Sequence, residues 1–166
     1  MPKITIGVMG PGASATEADL CHAYELGKLI AQEQWAILSG GLNLGVMAAV
    51  NEGAKSAGGF TIGILPGADR RGMSENIDLA IVTGMGSARN NINVLSSDVV
   101  IACGMSAGTA SEVALALRAG KKVILLNETG DGNDFWQKLG AGDVAIASSP
   151  EQAISLTKAF LSHQFG

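Results

Sequence analysis

The sequence predicts an α/β domain of doubly wound type, with a mostly parallel sheet of about seven strands and helices on both faces. Three observations carry that expectation. Short β-branched or aliphatic runs recur along the chain. Each is apolar throughout rather than at alternate positions, as in a strand that meets water on neither side. Stretches with helical spacing separate most of them.

Taken in order, residues 4–9 form the first strand, and a helix over 16–33 follows with Leu20, Tyr24, Leu26 or Gly27, and Ile30 toward the sheet. A strand at 36–38 leads to a helix over 46–57, which stops at Gly58-Gly59, where a left-handed cap needs no Cβ. Strands at 61–65 and 79–82 precede a short helix over 90–96 and a fifth strand at 99–102. A helix over 109–119 ends at Gly120, and the sixth strand is 123–126. Residues 127–133 (NETGDGN) read as a mobile surface loop, and 144–147 as the last strand. Ser149 as N-cap and Pro150 as first helical residue open a final helix to about residue 162. Right-handed crossovers then give a Rossmann-like domain over residues 1–166, without repeat or linker, that binds ligands beyond the carboxyl ends of its strands.

Composition narrows the function. Hydrophobic residues make up 47% and charged residues 16%, so polar surface is thin for a monomer and a homodimer or homotetramer is expected. A net charge of -4 with no run of Lys or Arg disfavours a nucleic-acid polymer or an anionic membrane as partner. Cys21 and Cys103 fall in different elements and build no disulfide framework, the start of the chain lacks the features of a secretory signal, and no window approaches about 18 apolar residues. A cytoplasmic setting is expected.

Three strand-to-helix turns are rich in glycine: Gly10-Pro11-Gly12-Ala13-Ser14, the segment Ser39-Gly40-Gly41-Leu42-Asn43-Leu44-Gly45, and Gly104-Met105-Ser106-Ala107-Gly108-Thr109. Glycine lets backbone N–H groups approach a ligand, and the helix start behind each turn adds free donors, a combination suited to phosphate. Glycine also serves tight turns for packing alone. A nicotinamide enzyme needs an acid about 20 residues past its fingerprint, where this chain has Leu38-Ser39-Gly40, and no Gly-Lys-Ser or Gly-Lys-Thr ending provides the lysine of a nucleoside triphosphatase. Thr109-Ala110-Ser111-Glu112 reads either as a capping box or as a pair of ligand contacts, with Glu112 toward a ribose, a pterin amine or a proton-transfer role. Arg89 reads as a fork for phosphate or as a solvated first-turn arginine, and Asn90 and Asn91 suit a polar ring such as a pterin or purine. No zinc or iron site is expected from His22, His163 and the cysteines; Cys103 reads as a buried inert thiol, and Arg70 and Arg71 as solvated.

The segments SGGLNLGVM (39–47), IGILPG (62–67), ARNNINVLSSDVVIA (88–102) and SAGTASEVALAL (106–117), at this order and spacing, resemble the Rossmann-type family once grouped as lysine decarboxylases and known for phosphoribohydrolases of the Lonely Guy type. In those hydrolases the third turn carries Pro-Gly-Gly-x-Gly-Thr with paired glutamates, and an Arg-Lys pair precedes it. Here Gly104-Met105-Ser106 stands for Pro-Gly-Gly, Ser111 for the first glutamate and Asn90 for the lysine, leaving Arg89 and Glu112. The short form with ARNNINVLSSD and CGMSAGTASEVALAL is more similar to the molybdenum cofactor carrier and storage proteins. That resemblance implies binding, storage and protection of the molybdenum cofactor, a phosphate-bearing pyranopterin with a dithiolene-held molybdenum oxide, and passage to molybdoenzyme recipients. Its contacts would come from Gly10, Gly12, Ser39, Gly40, Gly41, Gly45, Arg89, Asn90, Asn91, Met105, Ser106, Gly108, Thr109 and Glu112. The alternative it implies is hydrolysis of a cytokinin riboside monophosphate or AMP, with Arg89 and Glu112 as the reacting pair.

Overall fold

A computed structural model describes residues 3–127 and 130–164, with side chains to 162. Seven parallel strands, β1 (Thr5–Met9), β2 (Ala36–Ser39), β3 (Phe60–Leu65), β4 (Leu79–Val82), β5 (Val99–Cys103), β6 (Lys122–Leu126) and β7 (Val144–Ala147), form one sheet in the order β4-β3-β2-β1-β5-β6-β7. The helices are α1 (Glu17–Gln32), α2 (Gly45–Ser56), α3 (Asn90–Leu95), α4 (Ala107–Arg118), α5 (Asp131–Gly140) and α6 (Pro150–Gln164). A 3-10 turn, Gly86–Arg89, runs directly into α3.

The strands form where the apolar runs lie, because β5 is buried at every position and β6 at four of its five, leaving no wet face to alternate with. Two cores result. Helices α1, α2 and α6 cover one face through residues such as Leu26, Ile30, Val50 and Ile154. Helices α3, α4 and α5 cover the other through Val94, Val113, Ala116 and Trp136. Burying a side chain such as Ile101 or Leu125 contributes on the order of 2 kcal/mol.

The chain steps outward from β1 to β4, crosses back, and steps outward again from β5 to β7. Right-handed connections in opposite directions place their helices on opposite faces and leave a crevice where β1 and β5 adjoin. No helix joins β3 to β4, so that end of the sheet lacks a crossover cover, and β4 leaves Leu79, Ile81 and Val82 exposed instead of buried on both sides.

Several local expectations need correction. The buried stripe of α1 is Asp19, Ala23, Leu26, Gly27, Ile30 and Ala31, so Leu20 faces outward. Helix α4 begins two residues earlier than expected, because Ser106 supplies the cap. The segment 127–133 is not a loop throughout: residues 131–133 open α5, and 128–129 lie outside the described residues.

Helices α1 and α2 touch backbone to backbone. A methyl on Gly27 would run into the Val50 carbonyl, and one on Gly53 into the Tyr24 carbonyl.

Candidate functional site

The three glycine turns meet at the carboxyl ends of β1, β2 and β5. Gly10 lies against the Cys103 carbonyl and the Val46 side chain so closely that a Cβ would collide with both. Gly45, at φ +53, sits beneath the Pro11 and Gly12 carbonyls, and the Val46 amide donates to the Pro11 carbonyl at 3.0 Å. The first two turns are thereby joined. In the third, Gly104 has φ +76 and leaves space for the Asp19 carboxylate, whose Oδ1 would lie 2.6 Å from a Cβ there. Ser106 then caps α4 by accepting from the Thr109 amide at 3.3 Å. The amides ahead of Thr109 in that first turn have no intrahelical acceptor, and the helix dipole makes them attractive to an anion.

Between these turns lies a cavity of about 210 Å³. Gly10 and Gly12 line it from the first turn, Gly40 from the second, and Ser106, Gly108 and Thr109 from the third, together with Arg89, Asn90 and Glu112. Val8, Met9, Met47 and Ser87 complete the wall and were not singled out from sequence. Five sequence candidates stand outside it. Ser39 is buried behind the second turn, accepting from the Gly41 amide at 3.2 Å and the Asn51 amide group at 3.2 Å. Gly41 backs onto Gly63, Gly45 onto the first turn, and Asn91 is exposed. Met105 faces a different cavity, beside Asp19.

Arg89 is buried at the end of the 3-10 turn, not solvated. Its Nη1 donates to Asn90 Oδ1 at 2.7 Å and its Nη2 to the Gly40 carbonyl at 3.4 Å. Gly40 makes room for it, since a Cβ would stand 2.7 Å from Nη2. Arg89 Nε is buried without a partner. The Asn90 amide passes the connection on to Ser111 Oγ at 3.1 Å, which donates to the Gly108 carbonyl at 2.6 Å, so the arginine is tied to the first turn of α4.

Glu112 is buried and faces the same cavity. The expected capping box is absent, because Ser106 is the cap and Glu112 lies six residues beyond it. Its Oε1 instead accepts from Asn93 Nδ2 at 2.8 Å. Asn93, one helical turn past Asn90, is a site residue that the i, i+3 spacing signals; its Oδ1 is buried without a partner. Burial pushes the Glu112 carboxyl up to about 7, against the lowering pull of Asn93 and Arg89. Burial also lowers Arg89 from its ordinary value, with Glu112 acting against it. Among the described residues the ion pairs do not include one between Arg89 and Glu112, although both line one cavity.

The arrangement suits a ligand with an anionic group: the glycine turns and the Arg89 guanidinium line the cavity, and the Met47 thioether lies next to that guanidinium, both within 2.7 Å of where a Cβ on Gly40 would stand. A larger groove of about 690 Å³ runs between α1 and α2, but its lining is mostly apolar, with Glu52 its one charged group. Among the described residues no group of three His, Cys, Asp or Glu is placed to hold a metal ion, and no helix is long and apolar enough to cross a membrane. Burial pushes the Cys103 thiol up to about 12, which leaves it protonated at neutral pH.

Comparison with known proteins places this geometry in context. The chain is similar to the molybdenum cofactor binding protein of the phototrophic bacterium Rippkaea orientalis, with a TM-score of 0.95 and 56% identity over 97% of this chain and 99% of the other. It is similar to the molybdenum cofactor carrier protein of Chlamydomonas reinhardtii, with a TM-score of 0.93 and 51% identity over 98% and 99% of the two chains. An uncharacterized protein of Archaeoglobus fulgidus is 44% identical over 126 residues, 76% of this chain and 82% of its own. The model of the SLOG cluster4 family matches residues 3–154, and the chain belongs to that family.

Proposed function

We propose that this protein binds the molybdenum cofactor and carries it without changing it chemically, holding it in the rim cavity and shielding it from water and oxidant. The observation that carries this reading is Arg89: a buried guanidinium, one nitrogen unpartnered, with no carboxylate of the described residues in ion-pair contact and with three glycine turns around it. A buried cation with a free donor, in the field of Glu112 but not in ion-pair contact with it, suits an anion from outside the chain. The cofactor's terminal phosphate meets that requirement, with backbone amides around Gly10, Gly12, Gly40, Gly108 and Thr109 as further donors. Likeness to carrier proteins at 56% and 51% identity supports the same assignment.

The cavity's volume of about 210 Å³ admits a phosphate together with the edge of a ring but not the whole cofactor, so the remainder lies along the rim. Exposed Leu79, Ile81, Val82, Met85 and Leu95 support assembly into a homodimer or homotetramer, which light scattering after gel filtration measures. Transfer to a molybdoenzyme recipient in the cytoplasm completes the role.

The test is reconstitution under anaerobic conditions followed by gel filtration. Molybdenum and pterin are expected to coelute with the protein in equal amounts, one per chain, and loss of both from the protein peak would overturn the reading. A second reading, hydrolysis of a nucleoside monophosphate, is favoured by one observation: the Glu112 carboxyl near 7 is matched to proton transfer at neutral pH. Glu112 is the one carboxylate in the cavity wall, a sparse set for cleaving an N-ribosyl bond. Release of adenine from AMP above the level of Glu112→Ala protein would establish that activity.

A further inference from the structure

Arg89 and Glu112 face one small cavity with opposite charge, yet they do not close on each other. Hydrogen bonds to other groups hold each in place. Arg89 is fixed by Asn90 and the Gly40 carbonyl, and Glu112 by Asn93. Glu112 Oε1 has that single donor, and no protein donor to Oε2 stands among the hydrogen bonds of the described residues. A carboxyl group has capacity for several hydrogen bonds, and Glu112, which lines the cavity, leaves the rest of that capacity to whatever enters it. A ligand that fills this gap therefore offers N–H groups to Glu112. It also leaves Arg89 to the phosphate and has a flat face that can lie against Met47, another residue of the lining.

A 2-amino-4-oxo pyrimidine edge has that pattern, with two adjacent N–H donors beside a carbonyl oxygen. A carboxylate accepts the donor pair in a fork. We infer that Glu112 is the specificity-determining residue of the cavity, accepting the N–H groups of a 2-amino-4-oxo pterin ring and so selecting it over the 2,4-dioxo ring. The inference rests on the cofactor reading above and names which part of that cofactor the cavity recognises. In the 2,4-dioxo ring an oxygen replaces the amino group and faces the carboxylate, so an attraction becomes a repulsion. Discrimination of this kind exceeds what a shape difference of one atom produces.

Calorimetric titration with 6-hydroxymethylpterin monophosphate and with 6-hydroxymethyllumazine monophosphate at neutral pH tests it. Wild-type protein is expected to prefer the pterin ester by roughly tenfold to a hundredfold, the span of one or two hydrogen bonds to a charged acceptor. In Glu112→Gln protein, which keeps the volume and the contact with Asn93 but presents an N–H where a lone pair stood, the two esters are expected to bind within about threefold of each other. Equal binding of the two esters by the wild-type protein would overturn the role of Glu112 and leave the carrier function standing. A preference that survives in the variant would do the same. Failure of the wild-type protein to bind either ester would overturn the cofactor reading itself. The wild-type comparison needs no substitution, so it remains decisive even if the variant folds poorly.

Discussion

Two buried carboxylates stand at the carboxyl rim on opposite faces of the sheet, Asp19 on α1 and Glu112 on α4. Asp19 Oδ2 accepts from the Thr16 amide at 2.9 Å and Oδ1 from Asn127 Nδ2 at 3.2 Å, while Thr16 Oγ1 accepts from the Asp19 amide at 3.1 Å. Both its oxygens are occupied by the reciprocal cap of α1 and by a residue of the β6 end, and Asn127 is in turn paired with His22 Nδ1. Glu112 has one donor, an unpartnered amide oxygen on Asn93 beside it, and an arginine with an unpartnered nitrogen in the same cavity. A cavity of about 400 Å³ adjoins Asp19 as well, so concavity does not separate the two sides. What separates them is whether the fold satisfies its own polar groups. On the α1 face it does, and the acid is a structural part of a helix start. On the α4 face it does not, and the deficit has the shape of a ligand.

Four substitutions test that contrast. The largest effect is expected from Arg89→Ala, which removes the buried cation proposed to meet the cofactor's phosphate: affinity for the cofactor is expected to fall about a thousandfold, equivalent to ~4 kcal/mol. A drop of less than about tenfold in a titration would mean that backbone amides alone hold the anion.

Glu112→Gln acts next, on stability. The folded carboxyl titrates at about 7 against 4.5 when exposed, so between those values the native state holds a proton that the unfolded state has released. Stability contributed at low pH is therefore lost as pH rises through that window, and the whole cost, on the order of 3 kcal/mol, is present above it. The glutamine variant lacks this loss. Its melting temperature is expected to exceed that of the wild type near pH 8 and to converge with it near pH 5; parallel profiles would place the titration elsewhere.

Asp19→Ala removes two hydrogen bonds, one of them the side-chain half of the α1 capping box, and is expected to cost about 2 kcal/mol in chemical denaturation while leaving cofactor affinity within about twofold. A large loss of affinity without loss of stability would reverse the roles of the two faces. The smallest effect is expected from Asn127→Gly, which keeps the left-handed backbone at φ 65 but removes the amide, at about 1 kcal/mol. No measurable change would show that water replaces Asn127 at Asp19.

The strands were legible because strands covered on both faces carry unbroken apolar runs, and each of the seven runs read from sequence overlaps an observed strand, β4 included although its run is mostly exposed. Helix α5 was not. Its start is Gly-Asp-Gly-Asn, which reads as a turn, and that signal masked the apolar stripe of Phe135, Trp136 and Leu139 in a helix of only 10 residues. The burial of Arg89 was illegible for a different reason: it arises from contact with Gly40, 49 residues away, and local sequence around Arg89 carries no trace of that. The same holds for Ser111, which reads locally as a vacated acidic position yet links Asn90 to the first turn of α4. Ser106 as the cap was within reach, since a serine three residues ahead of a threonine amide is the standard geometry, but the more familiar Thr-x-x-Glu pattern masked it.

The contact of Gly27 with Val50 and of Gly53 with Tyr24 has a mechanical consequence. Helices whose main chains abut cannot slide past one another without one of them breaking, and each of these helices carries one glycine turn at its amino end. The first two turns thus behave as a mould and not as a jaw. A guest meets them already in their final shape, and little of its binding energy is spent on rearranging the host.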